Sequence, residues 1–239
     1  MEKLFSVFDK VKQLLHPILL KMMPGRRNFP IEILNEIPKT AGNKIYVMNH
    51  SNVHDIPIAC EVIEKHSYVL IGKQSLDIID RLFFRLNGVV YIDRKNKGSK
   101  KRGFEKMLRV LNRGNNLLLY PEGTWNMTPS KPMLPLNWGV IELAKKSGIP
   151  IVPLVTEYHK DCCYISFGGP IFVGKDCDKK QEIERLTDIM ATMKWEIWER
   201  FPIEKRNEKM QADFEKMIAE NLKEYPRFNL EYEMSLVRK

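Results

Sequence analysis

Two histidines and an acid stand where an apolar run ends: Ile45-Tyr46-Val47-Met48-Asn49-His50-Ser51-Asn52-Val53-His54-Asp55-Ile56-Pro57. The β-prone half predicts a buried strand, and the end of such a strand is where α/β proteins commonly place chemistry. His50 and Asp55 are five positions apart. Residues on one helix face are three or four apart, so the two meet only if His50 ends the strand and Asp55 enters the following helix. A carboxylate so placed holds one imidazole nitrogen and fixes the tautomer. The other nitrogen is then available to take a proton from a hydroxyl, such as an alcohol attacking an acyl carbonyl. Two plainer readings stand beside this one: a hydrogen-bonded structural histidine, and Asp55 as an N-cap of the helix that contains Pro57. A metal held by His50, His54 and Asp55 is disfavoured. Pro57 works against helical presentation of the two histidines, and the other histidines are His16, His66 and His159.

Three more stretches carry polar residues to the end of an apolar run. Gly88-Val89-Val90-Tyr91-Ile92-Asp93-Arg94 ends in an arginine, suited to bidentate phosphate contact or to a surface pair with Asp93. Tyr120-Pro121-Glu122-Gly123-Thr124-Trp125-Asn126 brings a carboxylate and a glycine that lets backbone approach a ligand closely, or forms an ordinary turn. Val152-Pro153-Leu154-Val155 sets a proline inside an apolar strand, which predicts an edge strand or a bulge. No G-x-S-x-G elbow is present, so a hydrolase of that type lacks its nucleophile. No Walker loop or G-x-G-x-x-G supports nucleotide chemistry.

In order and spacing the four blocks resemble the glycerolipid acyltransferase family, whose well-known members are 1-acylglycerol-3-phosphate acyltransferases. Asn49, His50 and Asp55 match its N-H-x-x-x-x-D motif; Gly88 to Arg94, Tyr120 to Thr124 and Ile151 to Val155 match the second, third and fourth. The resemblance covers roughly residues 40–175, a domain-sized span. It implies acyl transfer from an acyl-CoA or acyl-carrier-protein thioester to a lysophospholipid hydroxyl, with 1-acylglycerol 3-phosphate as the leading acceptor. His50 would be the general base and Asp55 its partner. Lys73 and Arg94 would contact phosphate, and Glu122, Gly123 and Thr124 would shape the substrate site. No metal, cofactor or covalent enzyme intermediate is needed, because the thioester is already activated. Trp125 departs from the family pattern, which usually has arginine there. That opens a second reading, the same chemistry on a non-phosphorylated glycolipid, alcohol or amine. A third is a non-enzymatic protein that binds anionic lipid.

The elements that must position these residues are read from periodicity. Residues 1–23 predict an amphipathic helix with Leu4, Phe8, Val11, Leu15, Ile18 and Met22 on one stripe and a kink or break near Pro17. That stripe fits either docking on the domain or a membrane interface. Strands are expected at 44–48, 68–71, 88–92, 116–119 and 151–155, with a hairpin-like pair at 163–167 and 171–173. Helices are expected at 55–65, 77–86, 100–111, 138–147, 178–201 and 203–224. Such alternation implies an α/β fold, a mixed, largely parallel sheet flanked by helices. The division is an amphipathic segment at 1–30, an α/β acyltransferase domain at 31–177 and a C-terminal helical extension at 178–239.

Composition narrows the partners. The chain has 239 residues, 44% of them hydrophobic, and a net charge of +9. Between Arg94 and Arg113 nine basic residues face one acid, Glu105, for a local charge of +8. Such a stretch is either a solvated face or a site for polyanions, including an acidic carrier protein, CoA phosphates or an anionic membrane surface. Nucleic acid is disfavoured, since Phe104 alone interleaves an aromatic with the basic residues. Cys60, Cys162, Cys163 and Cys177 show no C-x-x-C spacing and read as ordinary thiols in a reducing compartment. No apolar run approaches the ~18 residues of a spanning helix, and Met1-Glu2-Lys3 does not lead into a signal peptide. The expected location is cytoplasmic, peripheral on the inner face of the cell membrane.

Overall fold

Residues 45–48, 117–119 and 151–152 are buried and apolar at every position, the pattern of strands covered on both faces. A computed structural model places them at the centre of one seven-stranded sheet. The structure describes residues 2–22, 29–35, 37–63, 65–72, 82, 84–128, 131–159 and 162–201, with 212, 216, 219, 220, 223, 231, 232 and 235 beyond them. The strands are β1 (Ile31–Ile33), β2 (Ile45–Met48), β3 (Ser67–Gly72), β4 (Val89–Ile92), β5 (Asn116–Leu119), β6 (Ile151–His159) and β7 (Cys162–Phe167). The helices are α1 (Glu2–Met22), α2 (Asp55–Val62), α3 (Lys97–Asn112), α4 (Gly139–Ser147) and α5 (Lys179–Arg200).

The spatial order is β1-β7-β6-β2-β5-β3-β4. The run from β6 to β4 is parallel throughout; β7 alone is antiparallel to β6, and β1 runs parallel to β7. The expected α/β fold with a mixed, largely parallel sheet is therefore the observed one. Alternate residues of the central strands feed two cores. Ile45, Val47, Leu117, Leu119 and Ile151 pack with α3, α4 and α5, while Tyr46, Met48, Leu118, Val152 and Leu154 pack with α2. From α5, Leu186, Met190 and Ile197 are buried in the first core. Truncating such a side chain costs about 2–5 kcal/mol, so α5 is part of what holds the sheet.

Two expectations about strands need correction. Pro153 lies neither at an edge nor in a bulge: β6 is interior, and Pro153 sits in regular register opposite Val47. The proline is tolerated because its nitrogen faces the side where β7 ends, so no donor is missed. There Gly168 N–H donates to the Pro153 carbonyl at 2.8 Å. A Cβ on Gly168 would come within 2.5 Å of the proline ring, so glycine is what allows the approach. Residues 163–167 do not pair with 171–173 as a hairpin. β7 pairs with β6 instead, and Ile171 bridges Ile151.

α1 continues through Pro17 without a break. Pro17 is exposed, so the carbonyl its missing N–H would have met can turn to water. This helix docks through a side that carries polar residues together with buried Leu19 and half-buried Leu20. Asp9 and His16 are buried, Lys12 donates to the Tyr68 hydroxyl at 2.8 Å, and Gln13 reaches Asn115 at 3.3 Å. Asp9 accepts from Arg113, Asn115 and Tyr68. Burial pushes the Asp9 carboxyl up, but those donors outweigh it and hold it below its ordinary value. The apolar stripe consequently faces solvent, with Val7, Phe8, Val11, Leu14, Ile18 and Met22 all exposed. Predicted helix 77–86 and predicted helix 203–224 lie largely outside the described residues.

Candidate active site

The carboxyl ends of β2, β4, β5 and β6 converge on one edge of the sheet, and each delivers a polar residue there. β2 ends because Asn49 substitutes its side chain for the ladder. Its amide donates to the Thr156 carbonyl at 3.1 Å and accepts the Thr156 N–H at 2.8 Å. The side chain thus pairs with β6 as a backbone would, and the main chain is released to turn. Asn49 and Thr156 are both fully buried, so neither group has water as an alternative partner.

The turn brings Asp55 back under His50. Asn52 Oδ1 accepts the His54 N–H at 3.0 Å, and His54 occupies the N-cap of α2. Asp55 is therefore the first residue of α2 and does not cap it. Its carboxylate is completely buried and accepts four hydrogen bonds. Oδ2 takes His50 Nδ1 at 2.8 Å, Ser51 N at 2.7 Å and Asn52 N at 2.8 Å. Oδ1 takes the Tyr158 hydroxyl at 2.6 Å. Because Oδ2 can only accept, His50 Nδ1 carries the proton and Nε2 keeps its lone pair. The His50 side chain is 16% exposed, enough to meet a substrate. Its ring lies against Tyr120, with centroids 4.4 Å apart, and meets the edge of Trp125 at 5.5 Å.

Glu122 occupies the same edge but faces inward. It is buried, and its two oxygens accept from His50 N at 3.3 Å and Leu134 N at 3.2 Å. Burial raises its pKa to about 8; Asp55 adds to the rise, while Lys194 and the two backbone donors oppose it. Glu122 thus staples the His50 turn to the segment at 134. Gly123 follows with φ of +75°, a left-handed conformation that favours glycine. A Cβ there would fall 2.8 Å from the Asn137 side chain. The Gly123 carbonyl accepts from Arg94, whose guanidinium also lies over the Tyr232 ring at 5.2 Å. Thr124, the next residue, is buried.

His50, Asp55, Arg94, Glu122, Gly123 and Thr124 are thus gathered at one sheet edge, while Lys73 lies outside the described residues. The His54 ring meets Phe29 at 5.2 Å. Among the described residues no group of three or more His, Cys, Asp or Glu side chains is gathered as for a metal. Asn49 and Tyr158 are the contributors whose work was not read from the sequence. Asn49 stood in the motif without a stated job. For Tyr158 the available signal was the continued β-prone alternation Val155-Thr156-Glu157-Tyr158, which carries β6 past 155 to His159.

Residues 29–157 match the family model described as Acyltransferase. The chain is 31% identical over 118 residues to the 1-acyl-sn-glycerol-3-phosphate acyltransferase of Escherichia coli, covering 47% of this chain and 46% of that one. It is 24% identical over 155 residues to a chloroplastic 1-acyl-sn-glycerol-3-phosphate acyltransferase of Brassica napus, covering 62% of this chain and 44% of that one. The chain therefore spans less than half the length of these relatives. The solved 1-acyl-sn-glycerophosphate acyltransferase PlsC of Thermotoga maritima superposes with a TM-score of 0.58 at 16% identity, over 80% of this chain and 78% of that one. At that identity the likeness speaks for the fold.

Proposed function

Because the chain belongs to the acyltransferase family, we propose that it moves a fatty acyl group from an acyl-CoA or acyl-carrier-protein thioester to the free hydroxyl of 1-acylglycerol 3-phosphate, giving phosphatidic acid. The observation that carries this reading is the four-donor cradle of Asp55, which leaves His50 Nε2 as the basic nitrogen. In the reaction the acceptor hydroxyl gives its proton to Nε2 as its oxygen attacks the thioester carbonyl. The tetrahedral intermediate collapses, the C–S bond breaks, and the imidazolium returns the proton to the departing thiolate. Asp55 stabilises the imidazolium throughout without itself taking the proton. Arg94, at the same sheet edge, is proposed to bind the acceptor phosphate, with Lys73 joining it.

The same reading gives α1 and α3 their work. Among the described residues no helix is long and apolar enough to cross a membrane. The outward apolar stripe of α1 is an interfacial surface. The exposed Lys100, Lys101, Lys106 and Arg109 of α3 add attraction for anionic headgroups or an acidic donor carrier. Attachment is proposed at the inner face of the cell membrane. One observation favours the second acceptor reading. Trp125 is buried and packs edge-on to His50 where the family pattern has arginine, which makes the pocket more apolar and suits a non-phosphorylated acceptor.

The deciding experiment incubates the protein with labelled acyl-CoA or acyl-carrier protein and a panel of lysophosphatidic acid, lysoglycolipid, alcohol and amine acceptors. Acylation of lysophosphatidic acid, lost in His50→Ala, is the expected result. Transfer to none of them would overturn the enzymatic reading. Trp125→Arg should raise use of phosphorylated acceptors relative to the others.

A further inference from the structure

We propose that Tyr158 is a positioning residue whose hydroxyl, bonded to Asp55 Oδ1, sets the pH range in which His50 accepts the substrate proton. The inference rests on the reading of His50 and Asp55 as the acyl-transfer base pair. The two oxygens of Asp55 are supplied differently. Oδ2 takes its donors from residues 50–52, within the turn itself. Oδ1 takes Tyr158 from the far end of β6, 103 positions along the chain. The hydroxyl is 2.6 Å from a carboxylate that is wholly buried. At that length the bond is a strong, charge-assisted one.

A phenylalanine would fill the same space against Phe29, whose ring meets Tyr158 at 5.8 Å, so the hydroxyl serves something other than packing. By donating to Oδ1 it draws part of the carboxylate's negative charge away from the imidazole. Without it Asp55 would grip the protonated ring harder, and the neutral, basic form would appear only at higher pH.

The titratable neighbours do not supply a substitute. Burial drives the Tyr158 phenol well above its ordinary value, so it remains a donor. Tyr120, the residue after β5, is raised likewise, and Cys60 from α2 is pushed up to about 12, so both stay neutral. Cys163 on β7 is a buried thiol beside Tyr158. Glu122, facing Asp55 from beyond β5, has its oxygens on backbone donors.

The test measures acyl transfer against pH for the full chain, for Tyr158→Phe, and for a chain with 3-fluorotyrosine at 158, a more acidic and stronger donor that keeps the hydroxyl. Tyr158→Phe should move the acid limb of the pH–rate profile up by about half a unit to one unit. That is a loss of about three- to tenfold at a pH on the limb, with wild-type kcat regained above it and KM for both substrates unchanged. The fluorinated chain should move the limb the other way. Limbs that coincide in all three proteins, or a kcat loss that is the same at every pH, would overturn the proposal. If the phenylalanine chain does not fold, the fluorinated one decides alone. A wild-type chain that transfers no acyl group would instead refute the acyl-transfer reading, and this inference with it.

Discussion

Replacing Glu122 with glutamine should reverse its effect on stability between pH 5 and pH 8. The wild-type carboxyl titrates near pH 8 when folded, against an ordinary value of 4.5. Between those values the folded chain keeps a proton that the unfolded chain has released. The folded state binds more protons there, so stability falls as pH rises. From pH 5 to pH 8 the wild type loses about 4 kcal/mol from this group, three units at about 1.36 kcal/mol each. Glutamine does not titrate and escapes the loss. It has its own defect, because Glu122 offers an oxygen to each of two backbone N–H groups, at His50 and at Leu134. Glutamine has one oxygen, and its NH2 must face the other donor. One buried hydrogen bond is forfeited, for about 1–3 kcal/mol. The variant should therefore be the less stable protein at pH 5 and the more stable one at pH 8, crossing at about pH 6 to 7. Urea denaturation of both proteins at pH 5, 6.5 and 8 reads this directly. A stability difference that does not change with pH would refute the reasoning, since it would mean the buried carboxyl does not hold its proton.

Other perturbations separate the parts of the site. Asp55→Asn keeps the shape but lets the imidazole adopt the wrong tautomer, so acyl transfer should fall by about 10³–10⁴, measured as initial rate at saturating substrate. Asn49→Ala removes two hydrogen bonds to Thr156 and should cost about 2–4 kcal/mol, read as a lower denaturation midpoint. Leu14→Glu with Ile18→Glu changes two exposed residues and should weaken sedimentation with anionic liposomes while leaving Tm within a degree or two. Undiminished sedimentation would mean that another surface meets the lipid.

The sheet was legible because β2, β5 and β6 bury both faces, and a fully covered strand leaves an unbroken apolar run. The approach of Asp55 to His50 was legible too, because five positions on a strand–turn–helix path leave few ways to place them. What lay out of reach depended on partners distant in sequence. Pro153 reads as an edge residue until Gly168 is known to stand beside it at the end of β7. α1 shows an apolar stripe that suits burial, yet Asp9 finds Arg113, Asn115 and Tyr68 more than fifty residues away and turns the stripe outward. Glu122 looked like a ligand-facing acid, and only its two backbone donors, in segments on either side of it, reveal an internal staple. Tyr158 belongs to no motif at all; its job exists only because β6 lies beside β2.

The main-chain donors to Asp55 bear on how the loop can change. Between His50 and Asp55, the carboxylate is held by the peptide N–H groups of 51 and 52 rather than by side chains from those positions. Amide donors are supplied by every residue type except proline. The identity of Ser51 is therefore nearly free, and that of Asn52 is constrained only by its turn bond to the His54 N–H. The number of residues is not free. One inserted or deleted there would carry both amides out of reach of Oδ2 and rotate His50 away from its carboxylate. The loop can drift in composition while its length stays locked, which is the grammar of a motif written as fixed ends around four open letters.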